Sequence, residues 1–217
     1  QRRERLARTR LYVITGDHGD EVATARIVEA ALEGGANVIQ LRKKTMAKGE
    51  QYAIALALRR LTLLHDALFI VNDHADIAIA ADADGVHLGQ DDLSPSVVRQ
   101  LPGFHGRLIG RSTHSLEQAR AAMDEGADYI AVGPVFPTPT KAGRPAVGTG
   151  LVTEVAAIAD RPFVAVGGID HDNAPAVIGA GAKALAVVRA VYDAVDPAES
   201  ARRLHELITT RLEVARR

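Results

Sequence analysis

Apolar residues along this 217-residue chain fall into short runs rich in Val, Ile and Leu, separated by longer stretches in which they recur every three or four positions. The runs cover residues 11–15, 38–41, 68–71, 85–88, 108–112, 129–132, 163–166 and 184–188. Such short, largely unalternating runs suit strands buried on both faces, as in a parallel sheet. The stretches between them predict helices over 22–33, 51–64, 75–81, 94–101, 116–125, 150–159 and 173–179. The tail predicts a last helix over 197–215, with Asp196 as its N-cap and Pro197 at its first position.

One phrase recurs, Gly-Ala followed by a short β-branched run: Gly35-Ala36-Asn37-Val38-Ile39, Gly126-Ala127-Asp128-Tyr129-Ile130 and Gly181-Ala182-Lys183-Ala184-Leu185. Ala83-Asp84-Gly85-Val86-His87 is a variant that lacks the leading Gly. Each phrase closes a helical stretch, and Gly suits the left-handed position just past a helix end. The repeated unit is therefore helix, tight turn, buried strand. Eight strands alternating with helices match a (β/α)8 TIM barrel of the α/β class, in one domain over residues 1–217. An open doubly wound sheet is the alternative, but neither a Gly-x-Gly-x-x-Gly turn nor a P-loop is present.

Composition narrows the chemistry. The hydrophobic fraction of 47% excludes a disordered chain, and no apolar run reaches bilayer length. Cysteine is absent, which removes thiol catalysis and Cys-ligated metals, and the net charge is −1 with only 4% aromatic residues. Nucleic acid and membrane are thus poor partners, although a local anion site remains open. Residues 1–10 carry five arginines and no apolar segment, so they are no secretory signal and read as a short helix or a solvated surface arm. The default location is the cytoplasm, and a first residue of Gln suggests a trimmed or processed start.

In such a barrel the chemistry sits at the C-terminal strand ends. Those ends carry Gln40-Leu41-Arg42-Lys43-Lys44, Asn72-Asp73-His74, His87-Leu88-Gly89-Gln90-Asp91-Asp92, Arg111-Ser112-Thr113-His114, Thr138-Pro139-Thr140-Lys141, Gly167-Gly168 and Val188-Arg189. The opposite ends are mainly Gly, Ala, Pro and helix-surface charges. Arg42, Lys44 and Lys141, with donors from Gln40, Asn72 and Ser112, form a polyanion cradle. Asp73 and Asp92 end adjacent strands and suit Mg2+, which keeps waters and substrate phosphates beside one or two carboxylates. Spacing leaves Asp91 as a rival to Asp92, and His87 reads either as a metal ligand or as a hydrogen-bonded core histidine. Gly167-Gly168 and Val188-Arg189 mark a backbone phosphate site. The Pro-punctuated stretch 134–145 is the longest irregular one and reads as a lid or binding loop. A metal, a basic cradle and a separate phosphate site together fit one substrate with a diphosphate and another with a monophosphate.

These phrases together, above all Gly85-Val86-His87-Leu88-Gly89-Gln90-Asp91-Asp92 and Gly133-Pro134-Val135-Phe136-Pro137-Thr138-Pro139-Thr140-Lys141, resemble the thiamine-phosphate synthase family in order and over residues 11–191. The resemblance implies a transferase that joins 4-amino-2-methyl-5-(diphosphooxymethyl)pyrimidine to a thiazole phosphate through a pyrimidinylmethyl cation, releasing diphosphate. It implies Asp73 and Asp92 as Mg2+ ligands. It places Gln40, Leu41, Arg42, Lys43, Lys44, Asn72, Ser112 and Lys141 on the pyrimidine diphosphate, with Arg42, Lys44, Ser112 and Lys141 in catalytic roles. Thr138, Pro139, Thr140, Gly168, Val188 and Arg189 fall on the thiazole phosphate. Two positions depart from the family pattern: Lys43 stands where an acid is more usual, and Arg189 where Ser is. A thiazole tautomerase and a non-catalytic binder of thiamine precursors are the alternatives; small molecules are the expected partners, and a homodimer is left open.

Overall fold

The computed structural model describes residues 1–139, 143 and 145–214. Eight parallel strands, β1 (Leu11–Ile14), β2 (Val38–Leu41), β3 (Leu68–Asn72), β4 (Gly85–Leu88), β5 (Leu108–Thr113), β6 (Tyr129–Val132), β7 (Phe163–Val166) and β8 (Leu185–Val187), pair in sequence order and close into a barrel. The closing register sets Leu11, Tyr12 and Val13 against Leu185, Ala186 and Val187. Helices α1 (Arg2–Ala7), α2 (Glu21–Glu33), α3 (Lys48–Leu64), α4 (Ala75–Ala80), α5 (Pro95–Arg99), α6 (Leu116–Asp124), α7 (Gly148–Ile158), α8 (Ala174–Gly179), α9 (Arg189–Tyr192) and α10 (Pro197–Val214) complete the chain. The expected strands and helices are all present, with ends shifted by three residues at most. The four-residue α9 is an addition that the pattern did not predict.

The strands are apolar on both sides because each faces two cores. Inward positions such as Tyr12, Val38, Leu68, Ile70, Leu108, Tyr129, Val164 and Ala186 fill the barrel. Outward positions such as Val13, Ile39, Phe69, Val86, Ile109 and Ala165 pack against the helices. Successive side chains on a strand point to opposite faces, so no position is free to be polar except at the strand ends.

The recurrent phrase has a double purpose. Gly35, Gly126 and Gly181 take positive φ at helix ends, and Asp66 and Asp82 take the same conformation where the Gly is missing. The amides of the following Ala36, Ala67, Ala83, Ala127 and Ala182 return to the carbonyl five residues back, which closes each helix in the same way. The third residue then caps a neighbouring strand. Asn37 accepts from the Arg10 and Leu11 amides, Asp84 from that of Phe69 and Asp128 from that of Ile109. Lys183 in the fourth copy has no oxygen to offer.

Of the two readings of residues 1–10, the structure has the short helix, α1, and not a solvated arm. Leu6 is 3% exposed and packs on the inner barrel core, which closes the N-terminal mouth. Arg2 and Arg3 bond the buried carboxylates of Asp84 and Asp128 at 2.9 and 2.8 Å.

Candidate functional site

The C-terminal mouth opens on a cavity of about 300 Å3. Inward positions line it in turn: Tyr12 and Ile14 from β1, Gln40 from β2 and Arg42 just past its end, Asn72, His87, Ser112 and Ala131. Val164, Val166, Ala186 and Val188 make its apolar wall, and Gly167, Gly168, Asp170 and Arg189 its far rim.

A chain of buried hydrogen bonds forms the floor. Gln40 Nε2 donates to the Tyr12 hydroxyl at 2.7 Å, Tyr12 and Tyr129 hydroxyls meet at 2.8 Å, and His87 bridges Tyr129 (3.1 Å) and Ser112 Oγ (2.9 Å). Burial pushes both phenols above their ordinary value of 10, so they remain neutral O–H groups that can only relay donors and acceptors. His87 therefore sits in a hydrogen-bonded barrel position, as one of its two expected readings had it. The chain fixes how Gln40 and Ser112 present polar atoms to the cavity.

Charge gathers on one rim. The guanidinium of Arg42, 8% exposed as a residue, binds Asp17 Oδ2 at 2.8 Å, while Asp17 Oδ1 accepts from the Lys44 amide at 2.8 Å. Lys44 Nζ lies 3.4 Å from Asp73 Oδ2. Asp73 takes φ 61°, a left-handed conformation that Asp tolerates, and its amide is held by the His87 carbonyl at 2.8 Å. Asp92 accepts from the Gly89 amide at 2.6 Å. Its carboxyl is pushed above the usual carboxylate range, first by burial and then by the charge of Asp73 beside it. The structure separates the two rival acids: Asp91 is exposed, and it is Asp92 that faces Asp73. Among the described residues no group of three or more His, Cys, Asp or Glu side chains gathers as a metal cage. Two carboxylates with open surroundings are what an ion that retains water and substrate oxygens requires.

The opposite rim differs. Gly167 and Gly168 take φ 103° and 63°, and the Gly168 carbonyl is tied down by Asn173 Nδ2 at 2.8 Å. Val188 and Arg189 face the same space, and Arg189 makes no ion pair among the described residues.

A sequence profile described as thiamine monophosphate synthase matches residues 11–191. The thiamine-phosphate synthase of Mycolicibacterium vanbaalenii is 45% identical over 92% of this chain and 94% of its own length. That of Gloeobacter violaceus is 50% identical over 90% of this chain, but over only 56% of its own length. Thiamine phosphate pyrophosphorylase from Pyrococcus furiosus superposes with a TM-score of 0.87 at 37% identity, covering 95% of this chain and 98% of that one. The chain belongs to the thiamine monophosphate synthase family. A 3-hexulose-6-phosphate synthase at 22% identity and TM-score 0.69 shares the fold alone.

Most of the residues that family resemblance singled out are brought together. Gln40, Arg42, Asn72, Ser112, Thr138, Gly168, Val188 and Arg189 line the cavity, and Lys44, Asp73 and Asp92 stand at its edge. Three others stand away from both lining and edge. Leu41 is buried in the outer core, Pro139 is exposed, and Lys43 turns outward to the loop between β1 and α2. The cause is strand alternation: Gln40 and Arg42 point in, so Leu41 and Lys43 point out. Lys43 thus adds no charge to the cradle. Thr140 and Lys141 lie outside the described residues. Tyr12, Asp17 and Asp170 were missed. Tyr12 was findable as an inward position two residues before Ile14, whereas nothing local marks Asp17 as the partner of Arg42.

Proposed function

We propose that this protein is a thiamine-phosphate synthase that joins a pyrimidinylmethyl diphosphate to a thiazole phosphate. What carries the reading is the asymmetry of one cavity. Its first rim gathers two under-neutralised carboxylates with Arg42 and Lys44, and its second offers positive-φ glycines and Arg189, which makes no ion pair among the described residues. The family membership and the whole-length similarity to the Pyrococcus furiosus and Mycolicibacterium vanbaalenii proteins support the same pair of substrates.

Asp73 and Asp92 would hold Mg2+, which when bound supplies positive charge for the oxygens of the departing diphosphate. Arg42, kept in place by Asp17, and Lys44 bind the diphosphate, with Lys141 as a third cation. Gln40 and Ser112, set by the hydrogen-bonded floor, orient the pyrimidine together with Asn72. Thr138, Gly168, Val188 and Arg189 hold the thiazole monophosphate, with Pro139 and Thr140 next to Thr138 in sequence. The bond between the methylene carbon and the diphosphate oxygen breaks, and both electrons leave with oxygen. The thiazole nitrogen then gives its lone pair to the carbocation, and no proton moves. Ile14, Val164, Val166 and Ala186 keep the space between the rims apolar, which denies water the role of competing nucleophile.

The test is to incubate the purified protein with both substrates and Mg2+ and to follow diphosphate release and thiamine phosphate formation. Release that needs both substrates and stops on chelation is expected. Binding of both without release would turn the reading into that of a precursor-binding protein. Undiminished release in excess chelator would remove the metal from it.

A further inference from the structure

Lys43 is 1% exposed, among the largest fully buried side chains of the protein, and the reaction as proposed gives it no part. An ammonium has three N–H donors and no acceptor. All three find oxygen here: the carbonyls of His18 and Gly19, the latter at 3.1 Å, and the hydroxyl of Tyr192 at 3.1 Å. Among the described residues no carboxylate is bonded to it. Burial lowers the Lys43 pKa, while the nearby charges of Asp17 and Asp20 oppose that change.

The acceptors belong to two segments that touch opposite rims. His18 and Gly19 lie in the β1–α2 loop, whose Asp17 binds the Arg42 guanidinium and the Lys44 amide. Tyr192 ends α9, the short helix that Arg189 begins. Tyr192 is also the hub of the junction. Its hydroxyl donates to the His18 carbonyl at 3.1 Å and meets Thr24 Oγ1 at 3.0 Å, and its ring lies 5.0 Å from that of His18. A Cβ on Gly16 would come within 2.7 Å of that ring, so only glycine lets the loop lie flat against it.

We infer that Lys43 is a positioning residue that staples the β1–α2 loop to α9, and so sets the orientation of Arg42 and Arg189, one on each rim, through one buried ammonium. The inference rests on the reading of Arg42 and Arg189 as contacts to the two anionic substrates.

The experiment measures steady-state kinetics for both substrates in the full chain and in Lys43→Met and Tyr192→Phe. Melting temperature and amide hydrogen exchange over residues 16–20 are followed alongside. Misplacing a positioned charge by about an ångström costs on the order of tenfold to hundredfold. Lys43→Met should therefore raise KM for the diphosphate and for the monophosphate together, each about tenfold, and speed exchange in the loop. Tyr192→Phe, which keeps the ring over Gly16, should shift both in the same direction by less; it decides the matter if Lys43→Met does not fold. A fall in melting temperature with both KM values unchanged would overturn the inference and leave Lys43 a purely structural residue. A rise for one substrate only would also overturn it. An unmodified chain that binds inorganic diphosphate but turns nothing over would count against the synthase reading instead.

Discussion

At the N-terminal mouth of the barrel, Asp84 and Asp128 are almost wholly buried and fully answered. Asp84 meets Arg2, Arg59 and the Phe69 amide, and Asp128 meets Arg3, Arg99 and the Ile109 amide. At the C-terminal mouth, Asp73 and Asp92 face one another with Lys44 at 3.4 Å from Asp73 and one amide on Asp92. The same residue type serves opposite ends. Carboxylates whose charge is matched by cations and strand amides hold the fold, while those left under-neutralised raise each other's affinity for positive charge. Half-buried charge with few partners is costly, so its persistence at one mouth favours a place built for a ligand.

That contrast can be broken in graded steps. Asp84→Ala leaves Arg2 and Arg59 without their shared partner and the Phe69 amide without an acceptor. A loss of about 3–5 kcal/mol in unfolding free energy is expected, as for other broken buried pairs. Denaturant titration measures it, and KM in the remaining folded protein should not move. If Asp84→Ala instead weakens substrate binding, the two mouths are not separate in function.

Asp92→Ala should do the reverse, slowing turnover by roughly 10²–10³-fold, the scale for removing one electrostatic stabiliser. Its melting temperature should be unchanged or higher, because a repulsive neighbour of Asp73 is gone. Near-normal turnover would strip Asp92 of its role.

A smaller effect concerns pH. Burial holds His171 and His205 below their ordinary value of 6.5, with Arg203 and Arg10 pressing the same way. Both lie at α10, His171 through Ser200 Oγ at 2.9 Å. Since the folded state binds the proton less well than the unfolded one, their contribution is fully present above pH 6.5. It is lost as pH falls through the lowered folded values. Melting temperature followed from pH 7.5 downward should drop more steeply in the native chain than in a His171→Gln, His205→Gln double variant. Parallel curves would place the acid sensitivity elsewhere.

The smallest step is Arg3→Ala. Its side chain is 78% exposed although its partner is buried, and Asp128 keeps Arg99 at 2.5 Å. Under about 1 kcal/mol is expected, typical of a solvent-screened pair. A larger loss by the same denaturant assay would show that α1 seals the barrel through this contact more than through Leu6.

Much of this was legible in the chain itself. The unalternating apolar runs told that both strand faces are covered, and eight of them with helices between admit few closures. The turn phrase was readable because a left-handed residue after a helix is a local requirement. Its second purpose, with Asn37, Asp84 and Asp128 capping neighbouring strands, was not, because the capped amides are 15 to 27 residues away. At the site, the concentration of polar residues at strand ends followed from position alone. The role of Lys43 did not, since a basic triplet looks uniform until alternation sends one member outward.

The sequence alone thus determined the barrel, the mouth where the polar side chains gather and the family, since each depends on short-range periodicity or on contiguous phrases. Only the tertiary structure decided that α1 plugs the far end, that Asp92 rather than Asp91 faces Asp73, and that Lys43 binds backbone. Those outcomes turn on where a side chain goes once its strand has ended. There the local period no longer applies, and partners distant in sequence, such as Asp17, Asp128 and Tyr192, supply the energy that selects one direction.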